Sequence, residues 1–171
     1  MQIILLTNSQ KYSYHTAISH MLQSILASFS HQVTTLDMDD FTYSHQCLAK
    51  ITSLAPDVII TLDLAGFHLR TQSGENALNM LTSKNLNLIW GSKNEYASYL
   101  QKKISLSMLF YDATGENHDL PQQYPNLLFY KALDKLDISA NTPEIQIANV
   151  SAFQTIWSDF TQEVLLSEAL H

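Results

Sequence analysis

The chain has 171 residues, 46% of them hydrophobic and 15% charged, which is the length and balance of one globular domain (1–171) and the opposite of a disordered chain's composition. A formal net charge of −7, with nine Lys and Arg spread thinly, offers no basic face for nucleic acid; the nearest approach is the pair Lys102-Lys103. A single cysteine, Cys47, rules out an internal disulfide, no Cys/His cluster has the spacing of a structural metal site, and no apolar run nears the roughly 20 residues of a membrane span.

The opening MQIILLTNSQ lacks the basic start of a signal peptide, so a cytoplasmic domain is expected. Gln2 to Thr7 is a continuous apolar run of strand length, as in a strand covered on both faces. Apolar residues at 14, 17, 18, 21, 22, 25, 26 and 29 then mark one face of a helix. Gln32 to Leu36 reads as a second strand, and the stripe at 43, 47, 48, 51 and 54 as a second helix, stopped by Ala55-Pro56. Within that helix Cys47, beside Leu48 and Ile51, reads as a small buried thiol.

Val58 to Leu62 is the most apolar strand. A short helix over about Glu75 to Ser83 is expected to link it to a fourth strand, residues 86–90. Asn94 is a good cap for a helix to about Lys103, and residues 106–111 read as a fifth strand. The segment from Ala113 to Ala140 is rich in Pro, Asn, Gln and Asp and reads as an ordered excursion. A terminal helix then starts either at Pro143, after Thr142, or after Ser151. Strands alternating with helices through connections too long for hairpins predict an α/β fold. The expectation is a three-layer Rossmann-like or flavodoxin-like sandwich with a five-stranded, mainly parallel sheet.

In such a sheet ligands bind outside the carboxyl ends of the strands, where the strand order switches. That edge would gather Asn8 and Ser9 after strand one, the acids Asp37, Asp39 and Asp40 after strand two, and TLDLAGFHLRTQSGEN after strand three. Gly91 and Ser92 follow strand four, and Asp112 follows strand five. All four glycines of the chain (66, 74, 91 and 115) fall on it. Asn8, Ser9, Gly66, Gly91, Ser92 and Asp112 are therefore the expected ligand-binding residues. Asp63, His68 and Arg70 are the catalytic candidates: an acid to act as base, with two groups to handle an anionic substrate. The competing reading makes Asp63 a turn cap and His68 and Arg70 parts of an ordinary loop, since turns are built from the same residues. The acids at 37–40 read as a solvated loop, and no metal site is expected.

The first strand-to-helix turn, TNSQKYSYH, contains no glycine, so neither the dinucleotide GxGxxG nor the GxxxxGK[ST] loop is present, and GxSxG and HExxH are absent too. No cofactor is thereby identified. The run SHQVTTLD, then APDVIITLDLAGF and NLIWG, resembles the N-terminal half of GT-B-type glycosyltransferases over residues 1 to about 112, with Ser30 where that family has glycine before the histidine. The donor nucleotide is held there mainly by the C-terminal half, for which this chain has no room, so the resemblance implies a lone acceptor- or partner-binding half. DLAGF, GE, YLQKKIS and FY also resemble a pattern in small uncharacterised Gram-positive bacterial proteins. Three functions follow as alternatives. One is a domain binding a small polar ligand or a protein partner, one is a small enzyme acting on a sugar, nucleotide or other anionic substrate, and one is a regulatory or scaffold subunit, with a homodimer among its forms.

Overall fold

Apolar runs that no charge interrupts become strands buried on both sides, and here they set the whole sheet. The computed structural model of the chain describes residues 1–90, 108–112, 128–131 and 142–166. Its elements are β1 (Gln2–Thr7), α1 (Tyr14–Ser28), β2 (Gln32–Asp37), α2 (Ser44–Leu54), β3 (Val58–Leu62), β4 (Lys84–Ile89), β5 (Met108–Asp112), β6 (Leu128–Lys131) and α3 (Pro143–Phe160). The strands pair in the order β2-β1-β3-β4-β5-β6, every pair parallel. The chain runs outward from β1 to β2, then crosses back to lay β3 on the other side of β1. The order therefore reverses between β1 and β3, as in flavodoxin-like sheets, and the crevice outside their carboxyl ends is the place a ligand would use.

Alternation along each strand feeds two apolar clusters. Ile3 and Leu5 of β1 and Val58, Ile60 and Leu62 of β3 pack with Ile18, Leu22 and Leu26 of α1 and with Phe153, Trp157 and Phe160 of α3. Ile4, Leu6 and Ile59 point the other way, onto Cys47 and Ile51 of α2 and onto Leu64, Phe67, Leu69 and Leu78 from the β3–β4 connection. Helix α1 closes with Ser30 in left-handed geometry (φ +63°). The Ser30 and His31 amides there donate to Ala27 O and Leu26 O.

Three sequence expectations change. The sheet has six strands rather than five: β6 is a four-residue run inside the proline-rich excursion, too short to stand out against its polar flanks. The helix expected over 75–83 is a single 3-10 turn, Ala77–Met80, started by the Asn76 carboxamide accepting from Leu78 N–H at 3.0 Å. It cannot lengthen because β4 begins at Lys84 and not at 86, with Asn85 buried in the strand; Asn87, inside the expected strand, accepts through Oδ1 from Thr61 Oγ1 at 2.6 Å. The terminal helix starts at Pro143. The helix expected at 94–103 lies outside the described residues, as do Gly91 and Ser92.

Candidate functional site

Asp63 is the first residue past β3, and it leaves the strand with φ +48°, followed by Leu64 at φ +56°. Two consecutive non-glycine residues in left-handed geometry make a sharp turn that Ala65 and Gly66 complete. Gly66 sits at φ +88°, and a Cβ added there would lie 2.8 Å from Leu6 Cδ1, so the turn lies close against the Leu6 side chain of β1 and a side chain at 66 would force that buried leucine to shift. Gly66 thus serves packing at this turn.

The turn drives the Asp63 side chain into the β1/β3 crevice, where it is buried. Tyr14 Oη donates to Asp63 Oδ2 at 2.6 Å, His15 Nε2 lies 2.9 Å from the same oxygen, and Trp90 N–H donates to Oδ1 at 2.7 Å. The His15 ring is fixed from its other side, because Asn8 N–H donates to Nδ1 at 2.9 Å. Nδ1 must therefore carry the lone pair and Nε2 the proton, which it donates to Asp63. One carboxylate ties together the exits of β1, β3 and β4 and the first turn of α1. Both side chains of the Asp63–His15 pair are fully shielded from solvent. Each ring nitrogen is committed to a protein partner, so His15 has no lone pair with which to take a proton from a ligand. Tyr12 and Tyr14 pack their rings on His15, at 4.9 and 5.1 Å between centroids, and Trp90 flanks Tyr14.

His68 and Arg70 do not join this cluster. Arg70 Nη1 donates to the Phe67 and Leu69 carbonyls at 2.7 and 3.1 Å, fastening its own turn. His68 is exposed, and partial desolvation, helped by the Arg70 charge, lowers its pKa below the usual histidine value. Neither residue is hydrogen-bonded to Asp63. Asp112, at the end of β5, is in register with Ile89 of β4 and Lys131 of β6.

The first loop is closed from within. Asn8 N–H goes to His15, and Ser9 N–H points at the Asp37 carboxylate at 3.3 and 3.4 Å. Gln10 N–H donates to Asp39 Oδ2 at 2.8 Å, Lys11 N–H to Asn8 Oδ1 at 3.3 Å and Tyr12 N–H to Asn8 O at 2.9 Å. Asp37 also caps its own 3-10 turn through Asp39 N–H at 3.0 Å. Burial pushes the Asp37 carboxyl up, but the hydrogen bonds from Ser9 and Asp39 outweigh it and hold its pKa below the ordinary value. Two of the three acids that read as a solvated loop, Asp37 and Asp39, are therefore partners of the β1–α1 loop. Among the described residues no group of three His, Cys, Asp or Glu side chains could hold a metal ion, and no helix is long and apolar enough to cross a membrane.

Tyr14 and His15 carry no functional signal in the sequence, although they stand two and three residues after Tyr12 in YSYH, past the exit of β1. A histidine in the first turn of an amphipathic helix carries no signal of its own; its partner lies 48 residues away. No protein-family model matches the chain, and no curated protein is significantly similar to it.

Proposed function

We propose that the chain is a non-catalytic binding domain, a doubly wound three-layer α/β domain of flavodoxin-like strand order. It presents the carboxyl edge of β1, β3 and β4 to a small polar ligand or protein partner that is neutral or cationic. The observation that carries this reading is the closed first loop. In folds of this order a phosphate is cradled by the amides between the first strand and helix. Here the amides of residues 8–12 all have protein acceptors, and two of those acceptors are carboxylates. A phosphate would have to displace Asp37 and Asp39 and then lie beside their charges. The overall charge of −7 works in the same direction. The shielded His15–Asp63 pair supports a binding role over a catalytic one, since it shapes the edge and has no ring nitrogen left for chemistry.

The test is a thermal-shift series on the intact chain with flavin mononucleotide, nucleotides, nucleotide sugars, neutral saccharides, polyamines and basic peptides. A ligand at a hundred times its dissociation constant adds about 2.7 kcal/mol of stability. Stabilisation by neutral or cationic compounds alone is the expected result. Saturable binding of flavin mononucleotide or a nucleotide, lost on substitution of Ser9 or Gln10 by proline, would overturn the proposal.

A further inference from the structure

The connection that leaves the carboxyl end of β3 carries a small hairpin. Arg70 and Asn76 form an antiparallel bridge, Thr71 N–H donates to Glu75 O at 3.0 Å, and Gly74 N–H donates to Thr71 O at 2.9 Å. Gly74 closes the turn at φ +82°, in open space. Phe67 and Leu69 before it and Ala77 and Leu78 after it are buried in the cluster on the α2 side of the sheet, so the hairpin stands on a packed base.

Arg70 is half-buried there, and its own backbone fixes the guanidinium. Nη1 donates to Phe67 O at 2.7 Å and to Leu69 O at 3.1 Å, and Phe67 O also accepts from Asn76 Nδ2 at 3.4 Å. Among the described residues the Nε and Nη2 donors have no protein acceptor, and the ion pair found there is His15–Asp63, not one of Arg70. Glu75, the one acid of the hairpin, takes Ser73 Oγ at 3.4 Å instead. The chain has sixteen acids and nine Lys and Arg, yet this guanidinium is left to its carbonyls. Tying down Nη1 leaves the Nε/Nη2 edge, which is a complete two-donor fork for a carboxylate. The ordering cost of a long side chain has already been met before any ligand arrives. Beside it His68 is desolvated and feels the Arg70 charge, and both lower its pKa, so the place carries one positive charge at neutral pH.

We infer that Arg70 anchors the carboxylate of a zwitterionic small molecule, of which a free α-amino acid is the simplest, at the hairpin after β3. The inference rests on the binding role proposed above and gives that role a ligand class. One guanidinium balances one carboxylate, whereas a phosphate dianion would keep a negative charge in the field of a chain at −7. An ammonium elsewhere on the ligand makes it neutral overall, in keeping with an edge where Asp37 and Asp39 close the first loop against anions.

The test is isothermal titration calorimetry of the intact chain with L-α-amino acids of uncharged side chain, each against its own carboxamide. The amide keeps the ammonium and the side chain and removes only the anion. At least one amino acid should bind, with its amide about tenfold or more weaker. Arg70→Lys keeps the charge and loses the fork, so it should weaken the acid by about tenfold and bring acid and amide closer together, and Arg70→Gln should abolish the difference. An arginine that merely fastens its turn would lower Tm when replaced and leave the acid-to-amide ratio of the folded chain at the parent value. The inference is overturned if no amino acid binds, if acid and amide bind alike, or if Arg70→Lys keeps the parent ratio. The comparison on the parent chain decides it even where the variants do not fold. Stabilisation by saccharides or polyamines with no response to amino acids would sink this inference and leave the binding role standing. Saturable flavin mononucleotide binding at the first loop would sink that role and would not mimic an acid-to-amide difference that depends on Arg70.

Discussion

Asp63→Asn changes one atom in a sealed network and keeps the side chain's shape. Asparagine also tolerates left-handed geometry as well as aspartate does, so the φ of +48° adds no difference between the two. What changes is donor and acceptor count. Oδ1 now receives Trp90 N–H, and Oδ2 receives Tyr14 Oη–H and His15 Nε2–H. An amide must turn its NH2 toward one set or the other, so a donor faces a donor whichever way it flips. His15 cannot adapt by moving its proton to Nδ1, because Asn8 N–H already points there at 2.9 Å. Each lost hydrogen bond to a charged acceptor removes about 1.5–3 kcal/mol, and a stranded buried donor adds about 1–3 kcal/mol. The sum falls near the 3–5 kcal/mol typical of breaking a buried pair. For a chain of this size that lowers Tm by about 6–20 °C. Urea denaturation with an unchanged m-value gives the free energy directly. Tyr14→Phe in the Asp63→Asn background should recover part of the loss, since it removes one opposing donor. A loss below about 1 kcal/mol, or strict additivity with Tyr14→Phe, would refute the argument that this carboxylate holds the edge together.

Gly66→Ala meets both positive φ and the Leu6 methyl at 2.8 Å, whereas Gly74→Ala meets positive φ (+82°) in open space. The first should cost about 2–4 kcal/mol and the second about 1 kcal/mol in the same denaturation assay, and equal losses would contradict the close approach to β1. Asp37 has its folded pKa held below the ordinary 3.8, so its contribution is complete above that value and is lost as pH falls through the lower folded value. Asp37→Ala should therefore flatten the fall of stability with acid below about pH 4, read from urea midpoints; an unchanged slope would remove Asp37 from the linkage. Cys47 is buried with its thiol raised to about 11, so Ellman's reagent at pH 8 should label it only after unfolding, and rapid labelling of the native chain would contradict that burial.

The parallel sheet was legible because its strands are apolar runs of the right length and its helices have a clean period. The strands β1 (Gln2–Thr7) and β3 (Val58–Leu62) needed nothing more than that, and they occupy the expected residues 2–7 and 58–62. β4 starts two residues earlier than expected because Lys84 and Asn85 are polar, while in the strand Asn85 is buried with its Nδ2 donating to Ser83 O. The same displacement shortened the β3–β4 connection and left it a turn where a helix was expected. Ser30 shows a subtler limit. Glycine is the residue that marks a left-handed helix exit, and a serine at φ +63° in that role gives no signal in the sequence.

The site was legible as an edge and illegible as a network, and the reason is backbone geometry. Asp63 and Leu64 both occupy left-handed φ, a conformation disfavoured by about 1–2 kcal/mol for each non-glycine residue. Nothing in the letters DL foretells it, and without it Asp63 would have followed the strand's alternation. The turn persists because three hydrogen bonds converge on the carboxylate it delivers and because the Leu64 side chain is buried against the α2 face of the sheet. Strain at the exit of β3 and the shielded pair with His15 are therefore one feature. The strained turn brings the acid to the crevice, and the acid's partners hold the turn in place. An acid displayed for chemistry would need one oxygen open to the crevice. Here both oxygens bind protein donors, so under the proposed binding role a ligand would meet the groups that the network positions, and the network itself sets their geometry.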